Sequence, residues 1–428
     1  MRVELNYGTG KLPVELADGW RVSVIAKRPM PLLADPAAAL EAALAVPHRA
    51  PPLRQAARGA ASACILICDI TRPVPNGLIL PPLVRALLDA GLAAERIKVL
   101  VATGLHRPNE GAELAEVVGD PWVLDTVEVA NHFARDDAAH VDVGTTSRGT
   151  VVRLDRRFID ADIRIATGLV EPHFMAGYSG GRKVIAPGIA HRDTITTFHN
   201  ARFMEDPCAA NCVLDGNPLH EDQLEIMAMI GGALALNAVI DEQRRLAFVN
   251  FGEVVESHLR AVEFTRAYAE VAVPERFQTV VTSAAGYPLD KTYYQTVKSM
   301  VGPLDILSPG GDLIVASACS EGIGSADYVA AQRRLLARGP EGFLADIKDK
   351  FHADIDEWQT EMQLKPMRQG AVYLYSDGLT GSDRDLTGVR MVDALDEVIA
   401  ASVARGGDNR VAVVPEGPYV VPRYQPAI

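Results

Sequence analysis

Short apolar, β-branched runs recur along this chain of 428 residues, each running into a polar, glycine-containing loop. They read ACILICD (63–69), IKVLVATG (97–104), IRIATG (163–168), TVVTSAAG (279–286), DLIVAS (312–317), VYLYSD (372–377) and RVAVVPEG (410–417). None alternates strictly between apolar and polar, so they suit strands buried on both faces. Segments with helical spacing lie between them, such as PLVRALLDAGL (82–92) and VAAQRRLLARG (329–339). Strand, loop and helix in repetition predict an α/β fold of doubly wound type. The stretch 221–271 reads as helix-rich and separates a first strand group from a second. Two α/β domains are therefore expected, 1–271 and 272–428, with a boundary at VAVPERF and the active site in the cleft between them.

Ligands of open α/β sheets bind beyond the carboxyl ends of the strands. The loops that matter are then DITRPVPN (69–76), ATGLHRPN (102–109), ATGLVEPHFMAGYSGGRK (166–183), SAAGYPLDKTYYQTVK (283–298) and ASACSEGIGS (316–325). Two of them echo each other: ATGLH ends on His106 and ATGLVEPH on His173. Imidazole transfers protons near neutral pH, so a pair at equivalent strand ends could act as acid and base on opposite faces of one substrate. The other reading of each is structural. Gly180 and Gly181 can bring backbone N–H groups close to an anion that Arg182 and Lys183 neutralise; an ordinary turn is the alternative. Neither a phosphate-binding P-loop nor a G-x-G-x-x-G fingerprint is present. Lys183 is also a possible covalent attachment point, because a buried amine is a good nucleophile. Asp193 or Thr194 would cap a short helix carrying His199, which reads as a cap, a core residue or a metal ligand. Asp69 and Arg72 share one strand end, where the guanidinium suits carboxylate or phosphate. Gln295 and Lys298 share one face of a helix start, a natural carboxylate site or a solvated surface.

Composition narrows the partners. The net charge of −13 argues against nucleic acid or an anionic membrane as the main partner. The five cysteines are odd in number and lack zinc-site spacing, so reduced thiols in a cytoplasmic protein are expected. No stretch is apolar for long enough to span a bilayer.

In order along the chain, NYGTGKL, DITRPVP, TGLHRP, GLVEPHFMAGYSGGRKVIAPGIA, FHN, PLDKTYYQTVK, CSEGIGS and AVVPEGPYVVP resemble the nickel-pincer nucleotide-dependent lactate racemase family of 2-hydroxyacid racemases and epimerases. The resemblance covers nearly the whole chain. It implies a pyridinium-derived nickel-pincer nucleotide tethered through a thioamide to Lys183, with nickel held by His199. It implies His106 and His173 as the catalytic pair, and Arg72, Gln295 and Lys298 around the substrate, with Tyr294 and Trp358 shaping the pocket. Asp69, Arg72, Gly180, Gly181 and Arg182 would serve the cofactor. The implied partners are a small 2-hydroxycarboxylate such as lactate and the enzymes that make the cofactor, without nucleic acid or membrane. Removing hydride rather than a proton makes chemical sense, because the C2–H of a 2-hydroxyacid is a very weak acid. Malate, aromatic hydroxyacids or sugar acids are alternative substrates. A nicotinamide-dependent oxidoreductase or a non-catalytic binding protein are alternatives of another class.

Overall fold

The computed structural model describes residues 1–426. The chain divides into two compact units. The first comprises Pro29–Phe198 and Val213–Ala267; the second comprises Met1–Arg28, His199–Cys212 and the chain from Tyr268 onward.

The first unit is built on a six-stranded sheet. Its strands lie in the spatial order Leu246–Glu253, Leu234–Ile240, Ile163–Leu169, Ala63–Cys68, Ile97–Ala102 and Glu128–Asn131. All pairs are parallel except the first, which is an antiparallel hairpin. Ile65, Ile67, Val99 and Val101 pack against Ile79, Leu80, Leu83 and Leu87 of helix Asn76–Asp89, with Val117, Val118 and Val123 closing the layer. Each such side chain contributes about 1.5–3 kcal/mol when fully buried.

The second unit repeats the plan with an all-parallel sheet. Its order is Arg390–Val392, Ala371–Tyr375, Leu307–Ala316, Phe277–Ser283, Arg410–Val414 and Arg21–Val24. The fold is thus two α/β units, each on a sheet whose chain order turns back at an inner strand. In the first, the reversal falls between Ala63–Cys68 and Ile163–Leu169. In the second, it falls between Phe277–Ser283 and Arg410–Val414. These are the switch points at which loops diverge and leave a crevice.

Two expectations need correcting. A single cut between 271 and 272 does not describe the division, because the N-terminal residues 1–28 belong with the C-terminal sheet. Strand Arg21–Val24 completes that sheet beside Arg410–Val414, and Val3, Leu5 and Val14 of the hairpin Arg2–Tyr7 and Gly10–Glu15 join its core. Residues 199–212 also cross over, with Ala201 packed among Leu335, Phe343 and Leu364. The region 221–271 is not simply helical either. Between helices Pro218–Met229 and Val254–Ala269 it holds the strands Leu234–Ile240 and Leu246–Glu253. The charged turn DEQRR joining them resembles a helix surface in sequence, while pairing with Ile163–Leu169 decides for strand.

A cluster of imidazoles braces the chain just after the glycine-rich loop. The His132 Nδ1 lies 2.9 Å from the fully buried Asp155 carboxylate, and its Nε2 lies 3.1 Å from the Ala190 carbonyl oxygen. Arg157 donates twice more to Asp155. Burial alone would raise the Asp155 carboxyl, but Arg157 and His132 outweigh it and hold the group far below the ordinary carboxylate range. Its stabilisation is therefore present above that range and lost as pH falls through the acid region. Asp155→Ala should lower stability by about 3–5 kcal/mol in denaturant unfolding, because it strands the buried His132 ring and leaves the half-buried Arg157 without its carboxylate; a change under about 1 kcal/mol would contradict this role.

Candidate active site

At the switch point of the first sheet, two adjacent strands deliver most of the candidate residues. Ala63–Cys68 ends directly on Asp69, which is 5 % exposed. Its Oδ1 accepts from the Thr71 hydroxyl at 2.5 Å, and its Oδ2 lies 2.5 Å from His106 Nδ1. His106 comes from the loop after the neighbouring strand Ile97–Ala102, with about half of its side chain open to solvent. Burial would raise the Asp69 carboxyl; His106, Thr71 and Arg72 together hold it below its ordinary value, so it is an anion. Arg72, three residues on, is ion-paired with Glu171, which belongs to the loop after Ile163–Leu169.

That loop turns sharply. Pro172–His173 pairs with Gly177–Tyr178 in a two-residue ladder, and the buried His173 accepts at Nδ1 from the N–H groups of Met175 (3.3 Å) and Ala176 (3.2 Å). The chain then passes through Gly180 at φ +79° and Gly181 at φ +49° into the one-turn helix Arg182–Ile185. A Cβ on Gly180 would come within 2.8 Å of the Leu169 carbonyl oxygen, and one on Gly181 within 2.8 Å of the His258 Cβ. Only glycine meets both the positive φ and the missing space. Gly180→Ala is expected to cost about 2–4 kcal/mol, read as a fall in thermal midpoint; an unchanged midpoint would show that the loop is not constrained.

The two cations of this loop do different things. Arg182 is 1 % exposed and turns inward, donating from one guanidinium nitrogen to the Ala176 carbonyl oxygen at 3.2 Å and lying against His258. Burial pushes it down to about 9. This corrects the picture of two cations jointly lining an anion cradle: successive residues of a helical turn point in different directions, and Arg182 takes the inward one. Lys183 is partly buried. Desolvation first, and the nearby Arg72 charge second, push its amine down to about 7. A large fraction is then neutral and nucleophilic at physiological pH.

The second unit assembles the other candidates. Helix Tyr293–Val301 is capped by Thr292, whose hydroxyl accepts from the Gln295 N–H at 3.4 Å. Gln295 and Lys298 follow each other on one side of that helix, and the Gln295 Oε1 is buried without a hydrogen-bond partner among the described residues. The Tyr294 hydroxyl accepts from Trp358 Nε1–H at 3.4 Å. Burial drives the Tyr294 phenol well above its ordinary value. Trp358, on helix Glu357–Gln369, also packs on His199, with ring centroids 4.9 Å apart. His199 lies just past the end of helix Arg192–Phe198 and is 8 % exposed. Among the described residues no three His, Cys, Asp or Glu side chains converge as a metal cage. All five cysteines are free thiols, and no described helix is long and apolar enough to cross a membrane.

The arrangement matches known proteins along its length. The description "lactate racemase N-terminal domain" fits residues 7–211, and "lactate racemase C-terminal domain" fits residues 274–421. The lactate racemase of Lactiplantibacillus plantarum is 30% identical over 397 residues, spanning 88% of this chain and 89% of that protein. The chain belongs to the lactate racemase family. As a member of that family it is an isomerase of the racemase type. The lactate racemase of Thermoanaerobacterium thermosaccharolyticum is 28% identical over 436 residues, 98% of this chain and 99% of its own length. The structure of that enzyme's apoprotein superposes with a TM-score of 0.90 at 27% identity over 99% of this chain and 100% of the other. A Thermotoga maritima protein at 19% identity and TM-score 0.65, covering 86% of this chain and 97% of its own, shares the fold.

One participant escaped the sequence reading. Glu171, two residues before His173, neutralises Arg72. An acid in a loop already holding a histidine and two cations was the available signal.

Proposed function

We propose that this racemase-family chain inverts C2 of lactate or a closely similar 2-hydroxycarboxylate, with a nickel-pincer nucleotide attached covalently at Lys183. The observation that carries this reading is the placement of Lys183 on the tight turn after Gly180 and Gly181, at the switch point of the first sheet, where loss of solvent and the nearby Arg72 lower its amine. Attachment through nitrogen needs an unprotonated amine, and this lysine supplies one near neutral pH. The donor chemistry fits as well: the imidazole of His199 is a ligand type that suits nickel. When bound, the group supplies the carbon that receives and returns hydride.

The chain's own residues do the rest. His106 and His173 manage the hydroxyl proton on the two faces of the reacting carbon. Arg72, with Glu171 partly balancing its charge, and Lys298 provide cations for the carboxylate. The orphaned Gln295 Oε1 offers a hydrogen-bond acceptor to a substrate hydroxyl. Tyr294 and Trp358 form the apolar wall beside His199. Asp69 holds His106, and Gly180 and Gly181 shape the loop that presents Lys183. Arg182 supports that loop from within.

Co-expression with the cofactor-making enzymes in the presence of nickel should give a chain with an added mass that maps to the Lys183 peptide. The same preparation should interconvert D- and L-lactate in a chiral assay. A chain with no adduct and no interconversion under those conditions would overturn the proposal.

A further inference from the structure

The two candidate catalytic histidines, His106 and His173, are held by opposite kinds of neighbour. His106 Nδ1 faces an acceptor, the ionised Asp69 Oδ2 at 2.5 Å. That nitrogen must carry hydrogen, and a neutral ring then has its lone pair on Nε2. His173 Nδ1 faces donors, the Met175 and Ala176 N–H groups at 3.3 and 3.2 Å. An amide N–H cannot accept, so this Nδ1 keeps its lone pair and a neutral ring carries hydrogen on Nε2. A second proton on His173 would set N–H against N–H in a buried turn.

We propose that the two imidazoles rest in opposite tautomers, with His106 ready to accept a proton at Nε2 and His173 ready only to donate a hydrogen bond from Nε2. Asp69 and the turn His173–Ala176 are the positioning elements. A proton arriving at His106 Nε2 gives an imidazolium balanced by the Asp69 carboxylate. His173 has no such counter-charge in its Nδ1 contacts, and it becomes a base only after the Met175 and Ala176 amides release it. The inference rests on the racemase reading, since it divides that reaction's proton handling unequally between the pair.

The test is a long-range proton–nitrogen NMR correlation of the full chain labelled with nitrogen-15 histidine, recorded above the ordinary imidazole range. Signals are assigned with His106→Gln and His173→Gln, or His173→Asn where the glutamine variant does not fold. His106 is expected to show a protonated Nδ1, and His173 a protonated Nε2. Asp69→Asn should shift His106 toward the Nε2–H form and leave His173 unchanged. In the loaded enzyme the same variant should lower kcat on the order of 10²-fold. Matching tautomers, hydrogen on His173 Nδ1, or no response of His106 to Asp69→Asn would overturn the proposal. The spectra need no cofactor and no turnover. An inactive chain with the expected tautomers therefore sinks only the racemase reading, and an active chain with other tautomers sinks only this inference.

Discussion

Lys183→Met produces a chain with no racemase activity and a higher thermal stability than the parent. Activity goes because methionine has no nitrogen to bond. Stability rises because the parent, without cofactor, bears the penalty of a desolvated amine. The folded group titrates near 7 and the unfolded one near 10.5. Below pH 7 both states hold the proton, and the folded state suffers the full penalty of burying it. Between 7 and 10.5 the unfolded state binds more protons, so parent stability rises with pH. Above 10.5 both amines are neutral and the difference vanishes. The gap between methionine variant and parent should thus be widest below pH 7, on the order of 2–4 kcal/mol after allowance for partial solvent access. It should close toward pH 10.5. Denaturant unfolding of the cofactor-free proteins across this range reads it directly. A constant gap, or retained interconversion of lactate enantiomers, would refute the role of this amine.

His173→Ala lowers kcat by about 10²–10⁴-fold, with a smaller effect on KM. The imidazole acts on a proton in flight, so its contribution belongs to the transition state more than to substrate binding. The substitution also leaves the Met175 and Ala176 N–H groups without their acceptor. A stability loss of about 1–3 kcal/mol should accompany it, and the fold has to be checked by thermal unfolding before the rate is interpreted. His106→Ala should match the loss in rate and also cost stability, because it strips the buried Asp69 carboxylate of a partner. Full activity in His173→Ala would remove it from the acid–base pair.

The seven apolar runs all became strands, because a segment that is apolar on both faces has few alternatives to the inside of a parallel sheet. Short edge strands such as Glu128–Asn131 and Arg390–Val392 left no comparable trace. They are held by one neighbour, and their residues are half exposed. The helix beginning at 82 in the pattern starts at Asn76, with Pro81 and Pro82 inside it, where each removes one backbone hydrogen bond. Among the candidate site residues, Asp69, His106, His173 and Lys183 were visible as polar side chains just beyond buried strands. What each does was not. The Asp69–His106 pairing joins loops of different strands, Glu171 became a partner only across the switch point, and Arg182 turned away from its neighbour Lys183.

By itself, then, the sequence determined which segments are strands, where the polar loops fall and which residue types they offer. It does so because burial on two faces and the backbone demands of glycine act locally. Only the tertiary structure decided that the N-terminal strand Arg21–Val24 completes the C-terminal sheet, that the reversal of strand order sets Asp69 beside the loop of His173 and Lys183, and that Asp69 faces Nδ1 of His106. Those outcomes depend on hydrogen-bond partners tens to hundreds of residues away along the chain, and on how far burial strips water from a charge.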